Sequence, residues 1–340
     1  EVRGARDVVA SGTVEVPADK PLKLHVECLL PSSEYEYSFS LACGASASGT
    51  FRTLPESGPV RMAVLSCAKY NAGHFIAYRH LARRNDVDLV LHLGDYIYET
   101  ANRPPGSQTP GMGIGRDFEP DGECSTFEDY DRRYRQYRMD PDLQALHRSH
   151  AMWATVDDHE FADNCWSEGS SEHEEGRDGP WISRYRAALA AWHRWMPTLR
   201  GGSGSDQIVW ARIDCGEVLS IALLDLRSHR RIGRGADSTT LGDAQRAMLI
   251  ETVSASRSAW RCVASPVLFT PLADPSLGPG SANALKTLKL GSKAGPDPDG
   301  WAGFPVERSH VLDEIAASGL RTFVVSGDSH VALHLRAPLS

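Results

Sequence analysis

Four short apolar runs in this chain break off at side chains that ligate or hydrogen-bond strongly. Val60–Leu65 stops at Ser66-Cys67, and Val87–Leu93 at Gly94-Asp95, with Tyr98-Glu99 just beyond. Ala151–Val156 stops at Asp157-Asp158-His159-Glu160, and Leu320–Val325 at Ser326-Gly327-Asp328-Ser329-His330. Runs this short, bounded by turn residues, read as strands. Helix-like segments are predicted near 74–84, from Thr126, from Asp140-Pro141, over Pro180–Met196, near 242–255 and near 306–317. Further strands are predicted near 208–213, 217–225 and Arg261–Phe269. Alternation of strands and helices points to a layered α/β architecture.

Residues 1–57 read differently. Gly12–Val16, Leu22–Glu27 and Tyr35–Leu41 alternate with period two and suggest part of a β-sandwich, with Pro55–Pro59 as a linker. The expected division is therefore a front β domain over 1–57 and a catalytic domain over 58–340. A length of 340 residues fits one large α/β domain with such an appendage.

The net charge of −8 disfavours a nucleic-acid scaffold or an anionic membrane surface as partner, since both need a basic face. No apolar run reaches the roughly 18 residues that a membrane span needs. The opening Glu1–Gly4 carries no initiator Met and no signal-like stretch, so an export segment is expected to have been removed or never present. Seven cysteines leave two readings open, six paired plus one free thiol or seven reduced thiols. No CxxC pair signals a zinc ribbon.

Open α/β sheets place their sites at the carboxyl ends of neighbouring strands. If the four runs are neighbours, their ends bring together a thiol, carboxylates, a phenol and two imidazoles. Thiolate, phenolate and imidazole suit iron, whereas carboxylates suit a hard cation such as calcium or magnesium. One carboxylate can bridge two cations about 4 Å apart, and such a pair activates water while neutralising a phosphate.

These stretches resemble the PhoD-type alkaline phosphatase/phosphodiesterase branch of the calcineurin-like metallophosphoesterases. The resemblance is carried in order by SCAKY, DLVLHLGDYIYE, YRQYRMDPDLQALH, TVDDHEFADN, LLDLRSHR, LGDAQRAMLIETVSASRSAW, WAGFPVER and VVSGDSH. It implies an α/β/β/α sandwich behind a small fibronectin/immunoglobulin-like β-sandwich domain. It also implies hydrolysis of phosphate mono- or diesters by a metal-activated hydroxide. Cys67, Tyr98 and His330 would bind Fe3+, and Asp95 would bridge to one or two Ca2+ also held by Asp158 and Asp328, other divalent metals being alternatives. His159 would contact the phosphate or protonate the leaving oxygen. Arg227 reads equally as a phosphate-orienting fork or as half of a salt bridge to Asp225 or another acid. Asn164 reads as facing substrate or as a turn residue, and Lys69 as a phosphate contact or a solvated cation. Asp157 is expected to orient a neighbour rather than bind metal.

Some positions depart from the family pattern. Ala68-Lys69 stands where the family has Gln after the ligand Cys, and His229 and His310 do not replace the superfamily's mid-chain metal histidine. The chain stops ten residues after His330, where family members usually continue, and the front domain is expected to be incomplete at its first strands. Trp166, Trp181 and Trp301, in the long loops, are expected either to anchor packing or to stack on substrate, and Glu172–Glu175 to disfavour a polyanion. The expected protein is a monomer acting on a small phosphate ester. The resemblance favours a secreted or periplasmic place, with a cytoplasmic one open. Three rivals stand beside this reading. They are a phospholipase D-like or narrowly specific diesterase of the same family, a mononuclear iron oxygenase, and a binding protein with a vestigial site.

Overall fold

A computed structural model describes residues 1–4, 7–16, 21–102, 114–197, 208–233, 237–270, 299–330 and 334. In the front part, β1 (Val2–Arg3), β2 (Val8–Ala10), β3 (Glu34–Ser40) and β4 (Ser46–Arg52) form one antiparallel sheet in the order β2-β1-β3-β4. The strands expected at 12–16 and 22–27 do not form. Val14, Val16 and Leu24 stay exposed there. The sheet leans closely on the rest of the chain: a side chain at Gly49 would run into the Arg148 carbonyl.

The larger part has two stacked sheets. One is parallel in the order β5-β6-β7, from β5 (Met62–Leu65), β6 (Leu89–His92) and β7 (Met152–Ala154). The other runs β11-β10-β9-β8, from β8 (Ala211–Cys215), β9 (Leu219–Leu223), β10 (Trp260–Ser265) and β11 (Thr322–Ser326). β8 is antiparallel to β9, whereas β9, β10 and β11 are parallel. Alternate side chains of β6 sort the layers. Leu89, Leu91 and Leu93 pack between the sheets with Ile213, Ile221, Leu223 and Ala264. Val90 points outward into the cluster that holds α1 (Ile76–Ala82), α2 (Phe127–Arg138), α3 (Pro141–Ser149) and α5 (Trp181–Trp195). On the far side, Ala222 and Val263 meet Leu249 and Val253 of α6 (Gly242–Ala255) and Val311 and Ile315 of α7 (Pro305–Ser318). The layers are α/β/β/α. The remaining helix, α4 (Glu175–Asp178), is one short turn.

Local signals account for several boundaries. Thr126 and Asp129 form a reciprocal capping box at the start of α2. Asp140 accepts from the Asp142 and Leu143 N–H groups, with Pro141 as first helical residue. Arg133 of α2, fully buried, fixes the loops above. Its five N–H groups donate to five main-chain oxygens, those of Tyr98, Thr100 (3.2 Å), Glu119 (3.1 Å), Pro120 (2.8 Å) and Gly122 (3.3 Å).

All seven cysteines are free thiols, Cys28 and Cys43 exposed and the others buried or half-buried. The sequence reads 101–125 and 271–300 as Gly/Pro-rich loops, of which 103–113 and 271–298 lie outside the described residues. Trp181 and Trp301 are buried and serve packing, Trp301 donating to Ser265 Oγ at 3.1 Å. His229 and His310 are exposed as expected. Among the described residues, no helix is long and apolar enough to cross a membrane.

Candidate metal centre

The four strand ends do converge, and two glycines and one carboxylate explain how. Beyond β5 and β6 the ladder continues, Cys67 N–H reaching Gly94 O at 3.3 Å and Ala68 N–H reaching Asp95 O at 2.8 Å. Gly94 has φ +95°, and a side chain there would lie 2.5 Å from the Asp157 nitrogen, so the ends of β6 and β7 touch only because Cβ is absent. A side chain at Gly327 would meet the Pro266 carbonyl at 2.7 Å and the Ser66 Cβ at 3.1 Å, which brings the end of β11 onto the end of β5 across the two sheets. The buried Glu160 carboxylate then accepts N–H bonds from Asp95 (2.9 Å), Tyr96 (2.6 Å), Ile97 (3.3 Å) and Asp157 (2.7 Å), tying two loops to one anion.

Two groups of ligating atoms result, each within 4.8 Å of one another: Cys67, Asp95 and His330 in one, Asp95, Asp158 and His159 in the other. Asp95 belongs to both. The Tyr98 hydroxyl donates to Asp95 Oδ2 at 2.9 Å and lies 3.3 Å from His330 Nε2. Asp328 falls in neither group, but its carbonyl oxygen lies 3.9 Å from the Cys67 sulfur and its charge raises the affinity of Asp157 and Cys67 for protons. Cys67, Asp95, Asn164, Asp328 and His330 all have positive φ, between 52° and 66°.

The electrostatics fit a cation. Asp95 Oδ1 and Asp157 Oδ2 are buried acceptors that no hydrogen-bond donor reaches. Burial, then the neighbouring Asp158, holds the Asp95 carboxyl well above its ordinary range. Burial pushes Asp157 up to about 8 against the pull of Arg227. Burial also raises the Cys67 thiol and the Tyr98 phenol, the latter helped by Asp95. Acceptor-only oxygens, a thiol and a phenol packed this closely repel one another as anions, and a bound cation reverses that penalty.

His159 is held firmly. Its Nδ1 lies 2.7 Å from Oε2 of the buried Glu99, and its ring lies 4.1 Å from that of Tyr98. Burial alone would lower its affinity for protons, but Glu99 and then Asp158 and Asp95 carry it well above the ordinary range. Exposed Lys69 sets its ammonium 5.1 Å from the centre of the Tyr98 ring. Asn164 gives its backbone N–H to Asp158 Oδ2 at 2.7 Å, while its exposed side chain turns to Asp163.

Of the two readings of Arg227, the geometry matches the salt bridge to another acid: it is fully buried, with Nε 2.6 Å from Asp157 and both terminal nitrogens 2.7 Å from Asp299, so its fork is occupied. Asp225, the nearby acid considered from sequence, instead accepts the Arg227 backbone N–H. Sequence reasoning left Glu99 and Glu160 without roles and passed over Asp299 and Arg230. Glu99 sits beside Tyr98 and was open to such a reading, but nothing local marks Asp299.

With this geometry the class follows: the PhoD-like phosphatase model matches residues 62–338, and the chain belongs to that family. Among individual proteins, it is 29% identical over 353 residues to alkaline phosphatase D of Bacillus subtilis (strain 168), covering 96% of this chain and 56% of that protein. A solved structure of PhoD superposes with a TM-score of 0.74 at 28% identity, over 88% of this chain and 57% of that one. The chain thus spans about half the length of both relatives.

Proposed function

We propose that this chain hydrolyses small phosphate esters at a centre for two unlike cations. The carrying observation is Asp95, the one carboxylate common to both ligand groups. Cys67, Tyr98 and His330 would hold Fe3+ on one side, since thiolate, phenolate and imidazole suit it, and Asp158 with Asp328 would hold Ca2+ on the other. When bound, such cations supply Lewis acidity that neutralises phosphate oxygens and makes water a better nucleophile.

The rest is work for the chain's own side chains. Lys69 meets a non-bridging phosphate oxygen. His159, with Nδ1 on Glu99, is oriented to give a proton to the departing alkoxide. Asn164 holds Asp158 in place through its backbone N–H. Arg227 steadies Asp157 rather than the substrate. Residues 1–57 would form a separate fibronectin-like front domain and 58–340 the catalytic one, a division supported by the separate four-stranded sheet.

The test is Asp95→Asn, with metal content measured beside turnover of p-nitrophenyl phosphate. Loss of both metals and of nearly all turnover is expected. Ordinary turnover with Asn at 95 refutes the scheme. With iron bound, Tyr98→Phe should lose the visible charge-transfer band of a ferric phenolate, and an unchanged spectrum removes Tyr98 from the ligand set.

A further inference from the structure

Arg227 stands beside the carboxylate cluster with most of its charge turned the other way. Both terminal nitrogens lie 2.7 Å from the two oxygens of Asp299. Yet Nη2 is also 3.6 Å from Asp158 Oδ1, within ion-pair range of an acid in the cation group. Arg230, also buried, puts Nη1 2.6 Å from Asp299 Oδ1 and donates Nη2 to the Asp299 carbonyl at 2.8 Å. One carboxylate therefore faces two guanidinium groups in a water-poor interior.

Asp299 is itself well anchored. Two residues on, Trp301 is fully buried, packs 5.0 Å from Phe269 between ring centres, and donates to Ser265 Oγ at the end of β10. Its backbone N–H reaches Leu268 O at 3.2 Å. The carboxylate is thus fixed to the sheet on the side of Arg227 away from the cluster.

A guanidinium and a metal ion compete for the same oxygen lone pairs, and low local dielectric sharpens the competition. A fork goes to whichever carboxylate offers both oxygens. We propose that Asp299 is a positioning residue that holds Arg227 off Asp158, keeping that carboxylate open to a hard divalent cation. This rests on the cation reading above. Without Asp299, two arginines are left with Asp157 and Asp158, and Asp158 becomes the second partner nearest to Arg227.

The experiment titrates calcium chloride calorimetrically into the chelator-stripped full chain, with thermal unfolding of each variant followed separately. Asp299→Asn should bind calcium roughly 10–100-fold more weakly, the usual range when a residue that orients a metal ligand is lost. Asp299→Glu, which keeps the charge, should recover most of that affinity. If Asp299→Asn is too unstable to purify, the double variant D299N/R230M removes one charge of each sign and should show the same fall. Wild-type affinity in D299N or in the double variant overturns the proposal, as does an equal loss in D299N and D299E, which would mean packing alone. If the wild-type chain binds no calcium, the cation reading fails first, and the two failures are told apart by that control.

Discussion

Arg133 offers a sharp test of how the loop carrying Tyr98 is held. Its guanidinium spends all five donors on five carbonyls, two from residues 98–100 and three from 119–122, while stacking 4.2 Å from the centre of the Phe118 ring. Arg133→Lys keeps the charge and the aliphatic stem but replaces the planar fork with a point that offers at most three donors. At least two of the five buried carbonyls lose their bond. At about 1.5–3 kcal/mol for each hydrogen bond to a charged group, the expected destabilisation is roughly 3–6 kcal/mol. That is a large part of the ~5–15 kcal/mol by which a domain is ordinarily stable. Urea unfolding of the two proteins at equal pH, with the slope checked for constancy, measures it. A lysine variant within about 1 kcal/mol of wild type would show that water or relaxation feeds those carbonyls, and the clamp argument would fall.

Other outcomes follow from the same structure. Lys69→Ala should raise KM for a phosphomonoester several-fold with little change in kcat, on the order of 1 kcal/mol for an exposed cation; an unchanged KM removes Lys69 from the phosphate. Trp301→Ala, at a fully buried side chain, should cost about 3–5 kcal/mol in denaturant unfolding, and a loss under about 1 kcal/mol would contradict its core placement. Burial lowers His193 to about 4 and His92 to about 3, so the unfolded chain takes up protons first as pH falls. The contribution of these two histidines should therefore be full above pH 6.5 and decline as pH drops toward 4. His193→Leu should flatten that decline, and identical pH profiles of unfolding temperature would contradict this.

What could be read from the residues was what is decided locally. The helix start at Thr126, the Asp140-Pro141 start and the apolar strand ending at Gly94 all announce themselves within a few positions, and each lies where expected. Of the front strands, 35–41 forms as β3, whereas 12–16 and 22–27 misled because alternation shows a face but not a partner. The run 157–160 was legible as a site, with separate jobs expected of Asp157, Asp158 and His159 but none of Glu160. Asp157 meets Arg227, Asp158 joins the cation group, His159 leans on Glu99, and Glu160 gathers backbone N–H groups. For Arg227 a salt bridge was one of the two readings, but which distant acid completes it was beyond reach. Its partner lies 72 residues away, and a buried ion pair at that separation leaves no periodic trace.

The left-handed backbone shared by Cys67, Asp95, Asp328 and His330 has an evolutionary consequence. For residues with a β-carbon this conformation is worth about 1–2 kcal/mol less than the ordinary right-handed one, a penalty glycine escapes. Glycine at any of these positions would relax the turn while erasing the chemistry. Under the function proposed above, loss of these ligands is thus downhill in local backbone energy at each of the four positions.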